Sequence, residues 1–386
     1  TSRLPYPPDR GDRLRTYQFI KLFAREHAVT LVSFISDKKE RLLAEELVPF
    51  CQEIHLVYLP PWKSASSAAL NSWRSMPLQT LYYQSRQMER VVDALLVSKS
   101  FDAAYVHLFR MAPYLENHPQ IYRILDLTDL VSFELRSSLP YQSPPWRTLY
   151  RFEEPRIARY ERYAAAHYDE VWFISARDRD LFSRGEPQGR IQVVPNIIDE
   201  RLLLLDQPSS DTPELLFVGH LDVRHNIDAA WYMAEEIMPL ILRELPQCEL
   251  LIVGAGSGQK VTGLEELPGV RVVGFVPDLR TVFADSALSV APLRFSAGIQ
   301  NKVIESMAAG LPVVTTSSVS AGIGTEPGRD LLVADNANGF AAQVIRLLRD
   351  KGLRQSLGRA GRAFVQTHMT AQAAAGRLRA IDELVG

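Results

Sequence analysis

Short runs of β-branched and other apolar residues alternate along the chain with longer stretches in which apolar positions recur at helical spacing. The predicted strands of the first half cover residues 28–35, 53–59, 102–108, 121–127 and 170–175. Those of the second half cover residues 214–219, 248–254, 270–274, 288–293, 313–316 and 330–334. Helical spacing is clear over 14–23, 227–245 and 340–348. The alternation is typical of β–α units on parallel sheets and predicts two successive α/β halves.

The best domain boundary lies between Pro195 and Pro213, where "VVPNIIDE" is followed by the polar, proline-bearing "DQPSSDTPE". We therefore assign residues 1–198 and 199–369 to two doubly wound domains. Because ligands bind at the carboxyl edges of open parallel sheets, we expect both edges to face a shared cleft. The loop-like start "TSRLP" also predicts a first strand upstream of the given sequence.

Composition indicates a globular protein: of 386 residues, 46% are hydrophobic and 23% are charged. The formal net charge of −2 argues against bulk binding of nucleic acid. Cys51 and Cys248 lie far apart, which indicates neither a disulfide framework nor a zinc site and fits a reducing compartment. No apolar run approaches the roughly 18–20 residues that span a bilayer, and no signal peptide is recognisable.

Residues 60–88 do not follow the β–α rhythm, and they carry aromatic residues among scattered cations: Trp62, Trp73, Tyr82 and Tyr83. One interpretation is an insertion packed on its own domain. The other is a surface that meets an amphipathic acceptor or a membrane interface.

The stretch "RFSAGIQNKVIESMAAGLPVVTT" joins a small-residue loop containing Gly298 to a helix that carries Lys302 and Glu305. A helix N-terminus favours an anion, and Lys302 can add a point charge to a phosphate. Glu305 can accept hydrogen bonds from sugar or ribose hydroxyls. The stretch therefore suits a phosphorylated, hydroxyl-rich ligand such as a nucleotide sugar. The alternative is an ordinary turn followed by an intrahelical Lys–Glu pair.

A second segment that could bind phosphate is "FVGHLDVRHNIDAAWYM". In it, a predicted strand is followed by a loop with Gly219, His220 and Arg224 and then by a helix. Arg224 could reach the same diphosphate as Lys302, or it could be a solvated surface charge. Asn226 is a plausible helix cap.

The first half contributes two further candidates, Gly11 and His107. Gly11, in "PYPPDRGDRLR", is either a ligand-approaching loop glycine or a turn after a proline-rich connector. His107 falls at the carboxyl end of a predicted strand, where active-site groups collect, although a lone histidine is more often structural. "VGAGSG" at 253–258 lacks the full dinucleotide fingerprint, and "DRD" at 178–180 fits a helix start, so no metal site is expected.

Together these motifs resemble the GT-B glycosyltransferases, specifically the retaining enzymes of family 4. The resemblance is carried by "FVGHL", "LIVGAG", "VVGFVPD" and "APLRFSAGIQNKVIESMAAGLPVV", with "VVPNIID" matching the interdomain segment. The N-terminal "RLPYPPDRGDRLRTYQFIKLFAREHAVTLVSF" is similar to sugar transferases of bacterial exopolysaccharide systems. The resemblance implies two Rossmann-like domains facing across a cleft, with a last helix at about 370–386 that packs back on the first domain.

The same resemblance implies transfer of a sugar from a nucleoside diphosphate donor to a hydroxyl, with retained anomeric configuration and with no metal or other cofactor. Glu305 matches the glutamate that holds the donor ribose, while Lys302 and Arg224 match diphosphate cations. His107 matches the histidine beside the donor sugar. The remaining donor contacts are assigned to Gly11, Gly219, His220, Gly298, Ile299 and Gln300.

Two positions depart from that family pattern. Ala297 stands where the first glutamate of the Glu-x7-Glu motif is usual, and His220 stands where an arginine is common. These losses keep open a catalytically degenerate module that binds a nucleotide sugar or a partner protein. Another GT-B enzyme, such as a nucleotide-sugar epimerase, is a third possibility. The expected acceptor is a glycan or a lipid-linked sugar, at the cytoplasmic face of the membrane, with residues 60–88 as the candidate membrane contact.

Overall fold

The computed structural model describes residues 1–183, 190–206, 212–256, 261, 263–295 and 299–376. The chain divides into two compact units, Asn196–Ala373 and a unit made of Thr1–Pro195 with the segment that starts at Ala374. In the described residues, every strand pairing is parallel in both units. The predicted α/β class with two parallel-sheet domains is therefore confirmed.

The first unit contains two parallel sheets in its described part. Strands β1 and β2 pair with each other, and four further strands are arranged in the order β3-β4-β5-β6. The strands are β1 Thr30–Ile35, β2 Glu53–Tyr58, β3 Ala103–His107, β4 Tyr122–Thr128, β5 Glu170–Phe173 and β6 Arg190–Val193. The α-helices are α1 Gly11–Phe23, α2 Glu40–Leu43, α3 Pro61–Leu70, α4 Leu78–Tyr82, α5 Arg86–Ser98, α6 Val131–Ser138, α7 Pro144–Ala165 and α8 Ala176–Phe182.

The second unit is built on one six-stranded sheet with the order β12-β11-β10-β7-β8-β9. Its strands are β7 Glu214–Val218, β8 Glu249–Val253, β9 Val270–Gly274, β10 Leu288–Ala291, β11 Val313–Thr315 and β12 Leu332–Val333. Its α-helices are α9 Arg224–Tyr232, α10 Met238–Glu244, α11 Leu279–Asp285, α12 Asn301–Ala308, α13 Ser317–Ile323, α14 Ala337–Arg349 and α15 Lys351–His368. A one-turn π-helix, Met233–Ile237, joins α9 to α10.

The central strands are buried along almost their whole length, as in sheets that are covered on both faces. All four residues of β5 and of β10 are buried, and Trp172 in β5 packs against Phe19 of α1 with ring centroids 5.6 Å apart. This burial explains why the strands read as continuous apolar runs rather than as alternating ones.

Each predicted strand is present, with ends that differ by at most a few residues. Strand β6 was missed because its four residues, Arg190–Val193, are only half-buried or exposed and lack a strong apolar pattern. The predicted helix over 227–245 begins earlier, at Arg224, and the π-helical turn interrupts it. Similarly, α1 begins at Gly11 rather than Leu14, so Gly11 is the first helical residue and is exposed.

Candidate functional site

The side chain of Lys302 links two helices of the second unit. It extends from the first turn of α12, and its Nζ donates to Asn226 Oδ1 in α9 at 2.5 Å and to Gln300 Oε1 at 3.3 Å. Among the described ion pairs, none joins Lys302 to Glu305, so the ordinary intrahelical pair is not what holds Lys302 in place. Its ammonium is instead fixed by two neutral amide oxygens, which leave its charge uncompensated by a contacting carboxylate.

Asn226 is placed by the backbone of the β7–α9 loop. Its Nδ2 donates to the carbonyl of His220 at 3.1 Å. A Cβ at Gly219 would lie 2.9 Å from Asn226 Cγ, so Gly219 provides the space that Asn226 occupies. The expectation that Asn226 caps the helix is wrong, because the cap position of α9 is Val223.

Burial shifts the titration of the charged groups on and near α12. It lowers the pKa of Lys302 to about 7, although Glu305 opposes this shift. It raises the pKa of Glu305 to about 7, again partly opposed by Lys302. Burial, together with the nearby Lys302 charge, lowers the pKa of His225 to about 3. Because these charged groups are poorly hydrated, their electrostatic interaction with a bound anion or hydroxyl is stronger than it would be in water.

The other predicted residues of the second unit lie in different settings. His220 is half-buried, and its Nδ1 accepts from the Asp222 backbone N–H at 3.3 Å. Arg224 is the first residue of α9 and is half-buried. Ile299 and Gln300 directly precede α12 in the chain, and both are buried. Gly298 and Ala297 lie outside the described residues, as does most of the predicted C-terminal helix after residue 376.

In the first unit, His107 is at the carboxyl end of β3, as its sequence position predicts. Its Nδ1 lies 3.1 Å from Thr16 Oγ1, and that hydroxyl donates to the carbonyl of Asp12 at 3.0 Å. Because the Thr16 hydroxyl proton is donated to Asp12, Thr16 Oγ1 acts as the acceptor for Nδ1–H of His107. The ring lone pair of His107 is therefore on Nε2. That Nε2 atom is buried and has no hydrogen-bond partner among the described residues. Burial lowers the pKa of His107 to about 4, so the ring is neutral at physiological pH.

A buried ion pair lies next to His107. Arg15 donates to Asp126 through Nε at 2.6 Å and through a terminal nitrogen at 3.1 Å, and Tyr105 also donates its hydroxyl to Asp126. The residues Leu108 and Thr128, at the ends of β3 and β4, have positive φ angles of 72° and 65°. Such conformations cost about 1–3 kcal/mol and persist where the surroundings hold them, often at functional sites.

The structure thus brings together Gly219, the His220 carbonyl, Gln300 and Lys302 around Asn226, with Glu305 one turn further along α12. Gly11 and His107 belong to the other unit. Sequence reasoning missed Asn226 as the hydrogen-bond partner of Lys302, and it also missed Thr16 and the Arg15–Asp126 pair.

Within the described residues, no cluster of three or more His, Cys, Asp or Glu side chains is arranged to hold a metal ion. In that same part of the chain, no helix is long and apolar enough to cross a membrane.

The architecture is the GT-B fold, as comparison with solved structures shows. Sucrose-phosphate synthase from Thermosynechococcus elongatus superposes with a TM-score of 0.71 at 17% identity, covering 97% of this chain and 94% of its own. HepE from Anabaena, in complex with UDP, gives a TM-score of 0.68 at 15% identity, covering 99% and 98% of the two chains.

Residues 212–350, which contain Asn226 and Lys302, match the family model described as Glycosyl transferases group 1. A 44.6 kDa protein from the cps region of Klebsiella pneumoniae is 22% identical over 356 residues, which is 88% of each chain. The predicted resemblance to GT-B glycosyltransferases is therefore confirmed at the level of the fold and of this domain.

Proposed function

We propose that the protein is a retaining, metal-independent glycosyltransferase of family 4. It would move a sugar from a nucleoside diphosphate sugar to a hydroxyl of a glycan or lipid-linked acceptor in the synthesis of a bacterial cell-surface polysaccharide. The observation that carries the proposal is the half-buried Lys302, held by Asn226 and Gln300 inside the glycosyl transferases group 1 domain. The relative from a cps region supports the polysaccharide context.

Catalysis in this proposal is electrostatic stabilisation of the leaving diphosphate. As the bond between the anomeric carbon and the phosphate oxygen breaks, Lys302, Arg224 and the N-terminus of α12 offset the charge that develops. Glu305 accepts hydrogen bonds from the ribose hydroxyls. Glycine-loop contacts come from Gly298, with Gly11 and His220 as further donor contacts. No cofactor takes part, and the nucleoside diphosphate sugar is a co-substrate.

His107 would act on the donor sugar as a neutral acceptor. Its Nε2 lone pair can receive a hydrogen bond from a sugar hydroxyl, which would orient the ring while positive charge develops at the anomeric carbon. A neutral imidazole suits this role because a protonated one would repel an oxocarbenium-like transition state. The pKa of about 4 supports this assignment.

Residues 60–88 would form a peripheral contact with the cytoplasmic face of the membrane. Trp62 is 70% exposed and Trp73 is 80% exposed, and cations of Lys63 and Arg74 lie over their rings at 5.6 and 5.7 Å. Exposed tryptophan next to cations is typical of surfaces that enter the lipid headgroup region. Such a contact would bring the protein to a lipid-linked acceptor.

The test is a calorimetric panel of UDP, GDP, ADP and their common sugar conjugates, first with chelator and then with magnesium, followed by transfer and hydrolysis assays. We expect one nucleotide to bind without metal. Lys302→Ala and Glu305→Ala should each reduce transfer while circular dichroism shows an intact fold. Full activity of both variants would contradict the site, and no nucleotide binding would contradict the proposed function.

A module that binds a nucleotide sugar without transferring it is the second candidate. The sequence observations that favour it are Ala297 in place of the family's first motif glutamate and His220 in place of its arginine. Nucleotide binding without transfer to any acceptor and without donor hydrolysis would select this alternative.

A further inference from the structure

The geometry points to a second ligand site in the first unit, a subsite that binds an acidic group on the acceptor. The site is a cavity of about 270 Å³ between the start of α1 and the segment around α4. Its lining includes Arg3, Arg10 and Arg13, with Glu40 as the only carboxylate among the described lining residues. The inference rests on the proposed function, because it describes the acceptor of the proposed transferase.

The arginines retain unused hydrogen-bond donors. Arg3 pairs with Asp12 at 3.3 Å through one terminal nitrogen. Arg13 pairs with Asp9 at 3.2 Å and approaches Glu40 at 3.8 Å, but its buried Nε has no partner in the described structure. Arg10 is exposed and forms no ion pair with any described residue. Because a guanidinium presents five N–H donors in a planar fork, these arginines can receive a further carboxylate or phosphate.

The other lining residues include apolar and aromatic side chains. Tyr82 and Tyr83 meet edge to face with centroids 5.1 Å apart, and Leu59 and Pro61 extend this surface. Aromatic and aliphatic faces suit the C–H surface of a sugar ring or the first carbons of a lipid chain. The volume lies just below the ~300–1,000 Å³ of typical ligand pockets, so the cavity suits one sugar or one headgroup rather than a long glycan.

Arginines and aromatic side chains in one lining define the ligand as an anion bonded to an apolar or C–H-rich group. Two sources supply that chemistry: an acidic sugar with a carboxylate, and a phosphate ester of a lipid. A neutral sugar would offer no anionic acceptor to the guanidinium N–H donors that these ion pairs leave unused. The subsite thus predicts an acceptor that is charged at or near the reacting sugar.

The experiment measures direct binding to the full chain of four probes: glucuronate, glucose, inorganic phosphate and farnesyl phosphate. Arg10→Gln should weaken binding of the anionic probes about tenfold, Arg10→Lys should weaken it less, and glucose should not bind. The matched control is Arg25→Gln, which removes an exposed arginine just after α1 and should change nothing. Tighter binding of glucuronate than of farnesyl phosphate indicates an acidic sugar, and the reverse order indicates a lipid phosphate.

Equal binding of the anions by wild type and Arg10→Gln, or no binding of any anion, would overturn the subsite. Loss of anion binding in Lys302→Ala would also overturn it, because it would assign the anions to the second unit. Nucleotide binding is measured separately on the same variants. If the protein binds nucleotide normally but Arg10→Gln binds the anions as wild type does, the subsite fails and the proposed function stands. If wild type binds no nucleotide, the proposed function itself fails.

Discussion

Asn226 connects Lys302 to the backbone of His220, accepting from the ammonium through Oδ1 and donating to the carbonyl through Nδ2 at 3.1 Å. The amide thereby fixes a cation at the start of α12 relative to the loop that follows β7. Lys302 alone has four rotatable side-chain bonds, and ordering them on ligand binding would cost free energy. An ammonium held before the nucleotide arrives avoids part of that cost.

Gly219→Ala should weaken nucleotide binding, although it removes no side chain that contacts the nucleotide. The new Cβ would lie 2.9 Å from Asn226 Cγ and displace the amide that holds Lys302. A hydrogen bond to a charged group contributes about 1.5–3 kcal/mol, so affinity should fall roughly tenfold to a hundredfold. Isothermal titration with the best nucleotide measures this change.

The control for that substitution is Gly376→Ala, where an added Cβ meets no atom of the described residues within 4 Å. It should leave nucleotide affinity unchanged. Unchanged affinity in Gly219→Ala as well would mean that Asn226 does not position Lys302 for binding.

Nucleotide binding should be coupled to proton uptake at about pH 8. Unliganded Lys302, with a pKa of about 7, is mostly neutral there, and a diphosphate raises its pKa by favouring the charged form. The sign follows: affinity is greatest below the unliganded pKa and falls as the pH rises above it. Glu305, whose pKa is also about 7, is mostly ionised under the same condition and contributes little.

Titrations in buffers of different ionisation enthalpy measure this uptake. Wild type should take up close to one proton per nucleotide, and Lys302→Met should take up much less. A slope near zero for wild type would show that Lys302 does not change protonation on binding.

Thr16→Val should disturb His107 through its tautomer. The variant removes the oxygen that accepts from Nδ1–H at 3.1 Å, so the proton can move to Nε2. Loss of one such hydrogen bond costs about 0.5–1.5 kcal/mol, and kcat should fall up to about tenfold with little change in KM for the donor. Thr16→Ser keeps the hydroxyl and should restore kcat.

Nitrogen-15 NMR of the imidazole distinguishes this positioning role from a structural one. In wild type and Thr16→Ser, the proton should be on Nδ1. A wild-type ring protonated on Nε2, or a full kcat in Thr16→Val, would contradict the assignment.

The positions of the candidate residues could be predicted from the sequence because strand ends are local features. His107 terminates a short apolar run, and in a parallel sheet the end of such a run lies at the edge where ligands bind. Gly219 and Lys302 were found in the same way, from a strand followed by a glycine loop and a helix. The prediction needed no knowledge of how distant segments pack.

The contacts that organise these residues could not be predicted in this way. Lys302 and Asn226 are 76 positions apart, and Thr16 and His107 are 91 apart, so only tertiary packing decides that they meet. Asn226 could also be interpreted as a helix cap, since the residue types that cap helices are those that bond in tertiary contacts. Strand β6 lacked a signal because it is a short strand without buried residues.

Replacing both Trp62 and Trp73 with serine should reduce association with vesicles that contain anionic lipid. Each ring is largely exposed, and full burial of a large apolar side chain contributes about 1.5–3 kcal/mol, so binding should fall about tenfold or more. The control is Phe275→Ser, which removes another exposed aromatic ring, in the second unit, and should leave vesicle binding unchanged. Vesicle co-sedimentation at two salt concentrations measures the effect, since salt should weaken the contribution of Lys63 and Arg74 but not that of the rings. Equal sedimentation of wild type and the double variant would show that these residues only pack on their own unit, the other interpretation of segment 60–88.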